Sequence, residues 1–210
     1  MTALRESMAD PIPRLENGDR LAVPEFERRY EAMPDEKKAE LIEGVVYLSS
    51  PVSFGHSTAE SSLGTWLGMY RARCAGDVEV GHNATVRLGN SSELQPDICL
   101  RRTEGGGSTH GADGYLSGPP ELVVEVAASS VSRDLHSKKN VYCRAGVREY
   151  IVLRLLDGEL DWFELRDGQY VRREPDASGI IESSQFPGLR LDVPALLDGD
   201  LPRLLAALSQ

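Results

Sequence analysis

The chain has 210 residues, 40% of them hydrophobic, which is enough to bury an ordinary core in one domain without disulfides or a structural metal. Its formal net charge is -10, so most of its surface should repel polyanions, and nucleic acid should bind only where basic side chains cluster. The three cysteines lack any C-x-x-C spacing, which argues against a zinc ribbon and a disulfide framework.

The N-terminal residues 1–22 are predicted to form a poorly ordered lead-in, because they mix charged residues with prolines and lack an apolar segment. No later stretch reaches the roughly 18 apolar residues that a membrane-spanning helix needs. We therefore expect a cytoplasmic protein with no membrane contact. A single domain with a C-terminal extension is expected over residues 23–210.

The first half of the chain predicts two helices and several short strands. One helix should begin near Val23, with proline in its first turn, and end at Met33-Pro34. The segment Glu40 to Leu48 predicts one strand with a bulge or close approach at Gly44. Apolar residues at helical spacing predict the main packing helix from His56 to Arg73. Further strands are expected at 78–80, 84–88 and 98–100.

The second half predicts a β-helix-β unit. Residues 103–120 are rich in glycine and predict a flexible loop, followed by a strand at 121–126 and a helix from about Arg133 to Ala145. A strand at 149–156 should lie parallel to the strand before the helix. The Asp-Gly pairs that follow predict a meander. The remainder, which ends in a helix at 201–208, is expected to be a peripheral addition that closes the domain, a closing decoration of the fold.

Two acidic residues lie within or beside apolar segments that predict buried strands. Glu125 interrupts an apolar strand, and Asp97, in a Pro-Asp pair, opens another. A buried carboxylate must be paired or bound to a metal, since leaving it alone costs several kcal/mol. Two such acids on separate strands predict a divalent-metal site. A satisfied ion pair remains the alternative for each acid.

Lys138 is the third member of this candidate site. Leu135, Lys138 and Tyr142 are spaced by three and four, so the lysine should lie on the packed face of its helix. An inward ammonium needs a carboxylate, which Glu125 would supply. The alternative is that Lys138 extends past Leu135 to solvent.

The set of residues and its frame resemble the Uma-two family of endonuclease-like proteins in the PD-(D/E)XK superfamily. In ordinary superfamily members the lysine comes two residues after the strand acid, where this chain has Ala127. In the resembled family the lysine lies on the following helix, which fits Lys138. The resemblance implies an α/β fold, a restriction-endonuclease-like mixed sheet flanked by helices, with an added C-terminal β-meander. The matching residues are Glu40-Leu41-Ile42-Glu43-Gly44, His56, Pro96-Asp97, Val124-Glu125-Val126, Ser130, Asp134, Lys138, Tyr142 and 145–150.

The resemblance also implies roles for these residues. Asp97 and Glu125 would bind Mg or Mn, Lys138 would stabilise the phosphate or orient water, and Glu40 would add an acid. His56 would contact metal-bound water or the scissile phosphate, or else serve as a capping or core histidine. Two further acids are less directly implicated: Glu43 should lie on the opposite strand face from Glu40, and Asp134 should pair with Lys138 across one helical turn.

The leading hypothesis is therefore a metal-dependent endonuclease that hydrolyses phosphodiester bonds, with DNA as the favoured substrate and nucleic acid as the partner. The alternative of another class is a catalytically inactive nuclease-fold protein that binds nucleic acid or a protein partner. A structural ion-pair network is the third hypothesis. Whether the protein forms a homodimer is left open.

Overall fold

The computed structural model describes residues 11–35, 38–74 and 76–209. Within those ranges no helix combines the length and the apolar composition needed to cross a bilayer. The helices are α1 (Val23–Glu31), α2 (Phe54–Arg73), α3 (Val131–Arg133), α4 (Lys139–Ala145), α5 (Val193–Leu197) and α6 (Leu201–Ala206), with a π-helical turn at Asp134–Lys138 and a 3-10 turn at Ala207–Ser209. The strands are β1 (Ala39–Ile42), β2 (Val45–Leu48), β3 (Val78–His82), β4 (Val86–Arg87), β5 (Glu93–Leu94), β6 (Ile98–Arg102), β7 (Thr109–His110), β8 (Leu116–Ser117), β9 (Leu122–Ala127), β10 (Glu149–Arg154), β11 (Glu159–Arg166), β12 (Gln169–Arg173), β13 (Ile180–Glu182) and β14 (Arg190–Asp192).

The central sheet contains six strands in the order β12-β11-β10-β9-β6-β3. Strands β9 and β10 are parallel, with Leu122 opposite Glu149, and the other neighbouring pairs are antiparallel. The helical residues 131–145 provide the crossover that a parallel pair requires. The predicted β-helix-β unit is confirmed. The predicted meander forms as β10 to β12 and extends the central sheet at one edge.

Helix α2 and the C-terminal segment close the core on one face of the central sheet. Trp66 is fully buried, and its ring packs edge-to-face on Trp162 of β11 at 6.3 Å between centroids. Its indole N–H donates a hydrogen bond to the Arg190 carbonyl at 2.8 Å. Leu189 and Leu191 are fully buried in the same core. The expectation of a mere closing decoration was wrong, because these residues supply apolar surface that α2 would otherwise expose to water.

A second sheet has the order β2-β1-β5-β4-β8-β7. The single strand predicted from Glu40 to Leu48 is wrong: β1 and β2 form a hairpin in which Leu41 lies opposite Val46. Glu43 and Gly44 both have positive φ, 52° and 77°, which is the backbone of a two-residue hairpin turn. The close approach expected at Gly44 is real, since a Cβ there would lie 3.3 Å from the Leu21 carbonyl oxygen.

The residues before α1 pack on this hairpin. Leu15 is 3% exposed, and the Gly18 and Leu21 amides donate to the Val46 and Gly44 carbonyls at 2.9 Å and 2.8 Å. Residues 11–22 are therefore not a free lead-in, because their backbone groups extend the hydrogen bonding of the hairpin. Residues 1–10 of the predicted lead-in lie outside the described residues.

The glycine-rich segment 103–120 is not the loop without structure that its composition predicted. It contains β7 and β8, and β8 runs parallel to β4. The Glu121 carboxylate accepts the Gly107 and Arg102 amides, both at 2.7 Å, which ties the segment to β6. Gly118 has a φ of +88°, and a Cβ atom on this residue would lie only 2.3 Å from the Gly107 carbonyl oxygen. Glycine is thus required there for two backbones to approach each other closely.

Glu93 is a buried acid that links the second sheet to α1. Arg87 contacts Glu93 at 3.1 Å and Glu27 at 2.5 Å, and it also pairs with Asp113. Burial raises the pKa of Glu93 to about 7; a hydrogen bond shared with Glu27 adds to the shift, and Arg87 opposes it. A group whose pKa is raised by folding stabilises the fold below its unfolded pKa, and this contribution is lost as pH rises through the folded value.

We therefore predict that Glu93→Gln becomes favourable relative to the wild type as pH rises from 5 to 8. The difference in unfolding free energy between the two proteins should shift by about 2 kcal/mol in favour of the variant, because glutamine carries no charge to bury. Urea unfolding at both pH values measures this shift. An unchanged difference would contradict the prediction.

Candidate active site

An open cleft of about 720 Å³ lies where the two sheets meet, between the start of α2 and the helical residues 131–138. It is lined by side chains from both sheets and both helices. The polar and charged lining residues used below are Lys38, Glu40, His56, Asp97, Glu125, Arg133, Asp134, His136 and Lys138. All five residues predicted for the site, namely Glu40, His56, Asp97, Glu125 and Lys138, therefore reach one cleft.

Strand register brings Asp97 and Glu125 together. Strands β6 and β9 are antiparallel, with Ile98 opposite Val124, so Asp97 comes directly before β6 at the position facing Glu125. The Val126 amide donates to Asp97 Oδ2 at 2.8 Å. Asp97 is 6% exposed and Glu125 is 3% exposed. Both carboxylates are thus buried side by side at one end of the central sheet.

Lys138 forms ion pairs with one glutamate from each of the two sheets. Its Nζ atom lies 2.9 Å from Glu40 Oε1 and 2.9 Å from Glu125 Oε1. The Tyr142 hydroxyl donates to the same Glu125 oxygen at 2.9 Å. Lys138 is only 2% exposed, so the alternative in which it extends to solvent is wrong. An ammonium this deeply buried requires the carboxylates around it.

A π-helical turn at Asp134–Lys138 interrupts the helix that the sequence predicted from Arg133 to Ala145. Asp134 is 2% exposed, whereas Leu135 is only partly buried. The wider turn changes which residues face inward and places the Asp134 carboxylate 3.9 Å from Lys138 Nζ, as the expected pair across one turn. The helix still ends at Gly146, which has φ of 93°.

Glu40 and Asp97 are held in their ionised forms. Burial disfavours the charge on Glu40, but Lys138, Lys38 and the Gln95 amide, which donates at 2.9 Å, lower the pKa of Glu40 overall. Asp97 is also penalised by burial, yet Lys38 and the Val126 amide hold its pKa below the ordinary value.

Glu125 has the opposite shift. Burial raises the pKa of Glu125 to about 8, because the nearby charges of Asp97, Asp134 and Glu40 add to the desolvation and Lys138 only partly opposes them. For Lys138, burial favours the neutral amine, but the surrounding carboxylates outweigh it and raise the pKa. The positive side chains of the cleft therefore do not suffice to keep Glu125 ionised at neutral pH.

The donor chemistry of the cleft suits a hard divalent cation. Four carboxyl groups, of Glu40, Asp97, Glu125 and Asp134, face two ammonium groups, and Asp134 Oδ1 is buried without a hydrogen-bond partner. Hard oxygen ligands that outnumber the nearby ammonium groups fit magnesium or manganese, which take their remaining ligands from water. In the described part of the chain, no group of three or more His, Cys, Asp or Glu side chains is arranged to hold a metal ion.

His56 lies in the first turn of α2, beside Asp97. Its Nε2 atom is 3.8 Å from Asp97 Oδ2 and 3.9 Å from Glu60 Oε2, while its backbone amide donates to the Ser53 hydroxyl at 3.2 Å. The capping side chain is therefore Ser53, and the imidazole is left to face the cleft. Glu43 lies outside the cleft and pairs with Arg144.

Sequence reasoning missed three contributors to this site. Lys38 contacts Asp97, the Gln95 amide contacts Glu40, and the Tyr142 hydroxyl contacts Glu125. The position of Tyr142 on the inward face with Lys138 could have identified it. Neither Lys38 nor Gln95 carries a local signal, because each contact joins residues more than 50 positions apart.

Comparisons with known proteins agree with this fold. A family model named Uma2 and described as "Putative restriction endonuclease" matches residues 23–194. Among solved structures, a "putative nuclease belonging to DUF820" from Anabaena variabilis superposes with a TM-score of 0.64 at 13% sequence identity, covering 81% of this chain and 96% of that one. A comparison with curated proteins gives no match.

The superposition shows the restriction-endonuclease-like α/β fold, with its mixed sheets flanked by helices. The family match extends from the start of α1 into α5 and so includes every residue of the cleft. The chain belongs to the Uma2 family of restriction-endonuclease-like proteins.

Proposed function

We propose that this protein is an endonuclease that requires magnesium or manganese and hydrolyses phosphodiester bonds in DNA. The observation that carries the proposal is the placement of Lys138 Nζ 2.9 Å from both Glu40 and Glu125, in the cleft that Asp97 also lines. Asp97 and Glu125 are the residues that would hold the cation. A bound cation would supply a nucleophile at neutral pH and neutralise charge that develops on the phosphate.

The side chains of the cleft have distinct roles in this proposal. Lys138 is fixed by Glu40 and Glu125, so its positive charge would already be in place near a phosphate bound in the cleft. Glu40 has a lowered pKa, stays ionised at neutral pH and orients water by accepting a hydrogen bond. Tyr142 holds one oxygen of Glu125 in place. His56, whose imidazole lies 3.8 Å from Asp97, would contact the scissile phosphate.

Local charge at the cleft explains how an acidic protein would admit DNA. The chain carries a net charge of -10, but Lys38, Arg133 and His136 line the cleft with Lys138. A divalent cation bound among the carboxylates would offset their negative charge, and together with these basic side chains it would attract phosphate even though the remaining surface repels it. The family's description as a restriction endonuclease makes duplex DNA the first substrate to test.

The direct test is cleavage by protein stripped of metal with EDTA. Single-stranded, duplex and branched DNA and RNA are each incubated with magnesium, with manganese or with EDTA. We expect internal cleavage of DNA with either cation and none with EDTA. A homogeneous protein that leaves all four substrates intact would contradict the proposal and favour a nuclease fold that only binds nucleic acid or a protein partner.

An exposed aromatic side chain next in sequence to Ser53, which lines the cleft, suggests a base contact. Phe54, the first residue of α2, is 89% exposed, and Val52, which lines the cleft, is 65% exposed. A base stacked on an aromatic ring contributes about 1–3 kcal/mol to binding. Phe54→Ala should therefore weaken DNA binding by about fivefold or more in a fluorescence-anisotropy titration.

The matched control for this prediction is Val171→Ala. Val171 is 44% exposed on the edge strand β12, which is separated from β9 by two strands. That variant should bind DNA like the wild type. Equal affinity for Phe54→Ala and Val171→Ala would exclude the base contact without affecting the proposed chemistry.

A further inference from the structure

Lys38 is a second lysine at the proposed metal site, and its ammonium group pairs with one of the two proposed metal ligands. It comes directly before β1, and its Nζ atom lies 3.0 Å from Asp97 Oδ1. The other Asp97 oxygen accepts the Val126 amide at 2.8 Å. An ammonium group therefore occupies the oxygen of Asp97 that is free of backbone hydrogen bonds.

This ammonium and a divalent cation cannot share Asp97 at low cost. Both would lie within a few ångströms of the same carboxylate oxygen, in a site where Asp97 is 6% exposed and solvent screens charges weakly. Like charges at that separation repel strongly. One of them must leave when the other is bound.

Of the two lysines in the cleft, Lys38 is the one able to move. Its side chain is 21% exposed, against 2% for Lys138, which is enclosed by three carboxylates. Lys38 also has a second acceptor, the side-chain oxygen of Asn83 at 3.2 Å, on the exposed side.

Asn83 is well placed to keep Lys38 after such a movement. The backbone amide of Asn83 donates to the backbone carbonyl of Asp97 at 3.1 Å, and its side-chain nitrogen donates to the Glu60 carboxylate at 3.2 Å. These two contacts leave the side-chain oxygen directed at Lys38. A released Lys38 thus has a fixed neutral acceptor that does not compete for the cation.

We propose that Lys38 is the internal counter-ion of Asp97 in the metal-free protein and is displaced when a divalent cation binds. This inference rests on the proposed function, since it assigns the cation to Asp97. It makes Lys38 a positioning residue that sets metal affinity: the measured affinity is the intrinsic one reduced by the fraction of protein in which Asp97 is released from Lys38. Removing the ammonium removes this competition.

The test is calorimetric titration of manganese chloride into EDTA-treated wild type, Lys38→Met and Lys139→Met. Lys38→Met should bind manganese about tenfold more tightly than the wild type. Lys139→Met is the matched control, because it removes the same charge at a position outside the cleft. Lys139 lies over the Phe163 ring at 3.6 Å and does not line the cleft. Its manganese affinity should stay within about twofold of the wild type.

A second measurement uses the wild type alone and does not depend on how the variants fold. Lysine acetylation by acetic anhydride, resolved by residue with mass spectrometry, should modify Lys38 faster with manganese than with EDTA. Lys139 should react at the same rate in both, as the internal control.

The outcomes separate the two proposals. If the wild type binds manganese but Lys38→Met binds it equally or less tightly, or Lys38 acetylation is unaffected by the metal, the counter-ion role is overturned and the proposed function stands. If neither protein binds manganese, both the counter-ion role and the metal dependence of the proposed function are overturned.

Discussion

Replacing either strand carboxylate by its amide should abolish cleavage. Asp97→Asn and Glu125→Gln each keep the size of the side chain but replace an oxygen ligand that would carry negative charge when the cation is bound, so we expect the rate of DNA cleavage to fall by about 10³-fold or more. Glu125→Gln should also fold well, because burial already raises the pKa of Glu125 to about 8 and the amide resembles its protonated form. Single-turnover cleavage assays with magnesium measure the effect.

The control for this prediction is a buried carboxylate outside the cleft. Glu149 of β10 is fully buried and is hydrogen-bonded to Ser183 and to the Ser184 amide. Glu149→Gln should retain cleavage within a few-fold of the wild type. Residual activity near the wild-type rate in Asp97→Asn or Glu125→Gln would refute the assignment of the metal ligands, and loss of manganese binding in both would support it independently of any substrate.

Replacing Lys138 by methionine should cause the largest loss of stability. The substitution leaves Glu40 and Glu125 buried without the ammonium that lies 2.9 Å from each. Breaking a buried ion pair by removing one partner costs about 3–5 kcal/mol, because the remaining charge is uncompensated. Urea unfolding at pH 7 measures this cost, which should appear as a lower midpoint.

The pH dependence of this variant follows from the same argument. Without Lys138 the two carboxyls should have folded pKa values above their unfolded ones, so their contribution favours folding at low pH and is lost as pH rises. Lys138→Met should therefore recover part of its stability between pH 8 and pH 5. Adding Glu125→Gln should recover part of it at pH 8 as well. A Lys138→Met protein as stable as the wild type at pH 8 would show that the carboxylates do not depend on this lysine.

Several parts of the fold could be predicted because they depend on residues close together in sequence. Helix α2, the parallel strands β9 and β10, the helix between them and its end at Gly146 follow from apolar periodicity and from one glycine at a helix terminus. The hairpin at Glu43-Gly44 was predicted as one strand, since a glutamate with positive φ has no strong sequence signal. The order of strands in the second sheet had no signal either.

The candidate site divides in the same way. The sequence by itself determined that Glu125 interrupts an apolar strand and that Asp97 begins another, and it predicted an inward Lys138 with a solvent-directed one as the alternative, because a charged residue among apolar neighbours at the right period is visible without coordinates. Only the tertiary structure decided which charges meet: Lys38 reaches Asp97 across 59 positions, and the Gln95 amide reaches Glu40 across 55. Such contacts depend on strand register and on the packing of one sheet against the other, and neither is encoded in any local stretch of the chain.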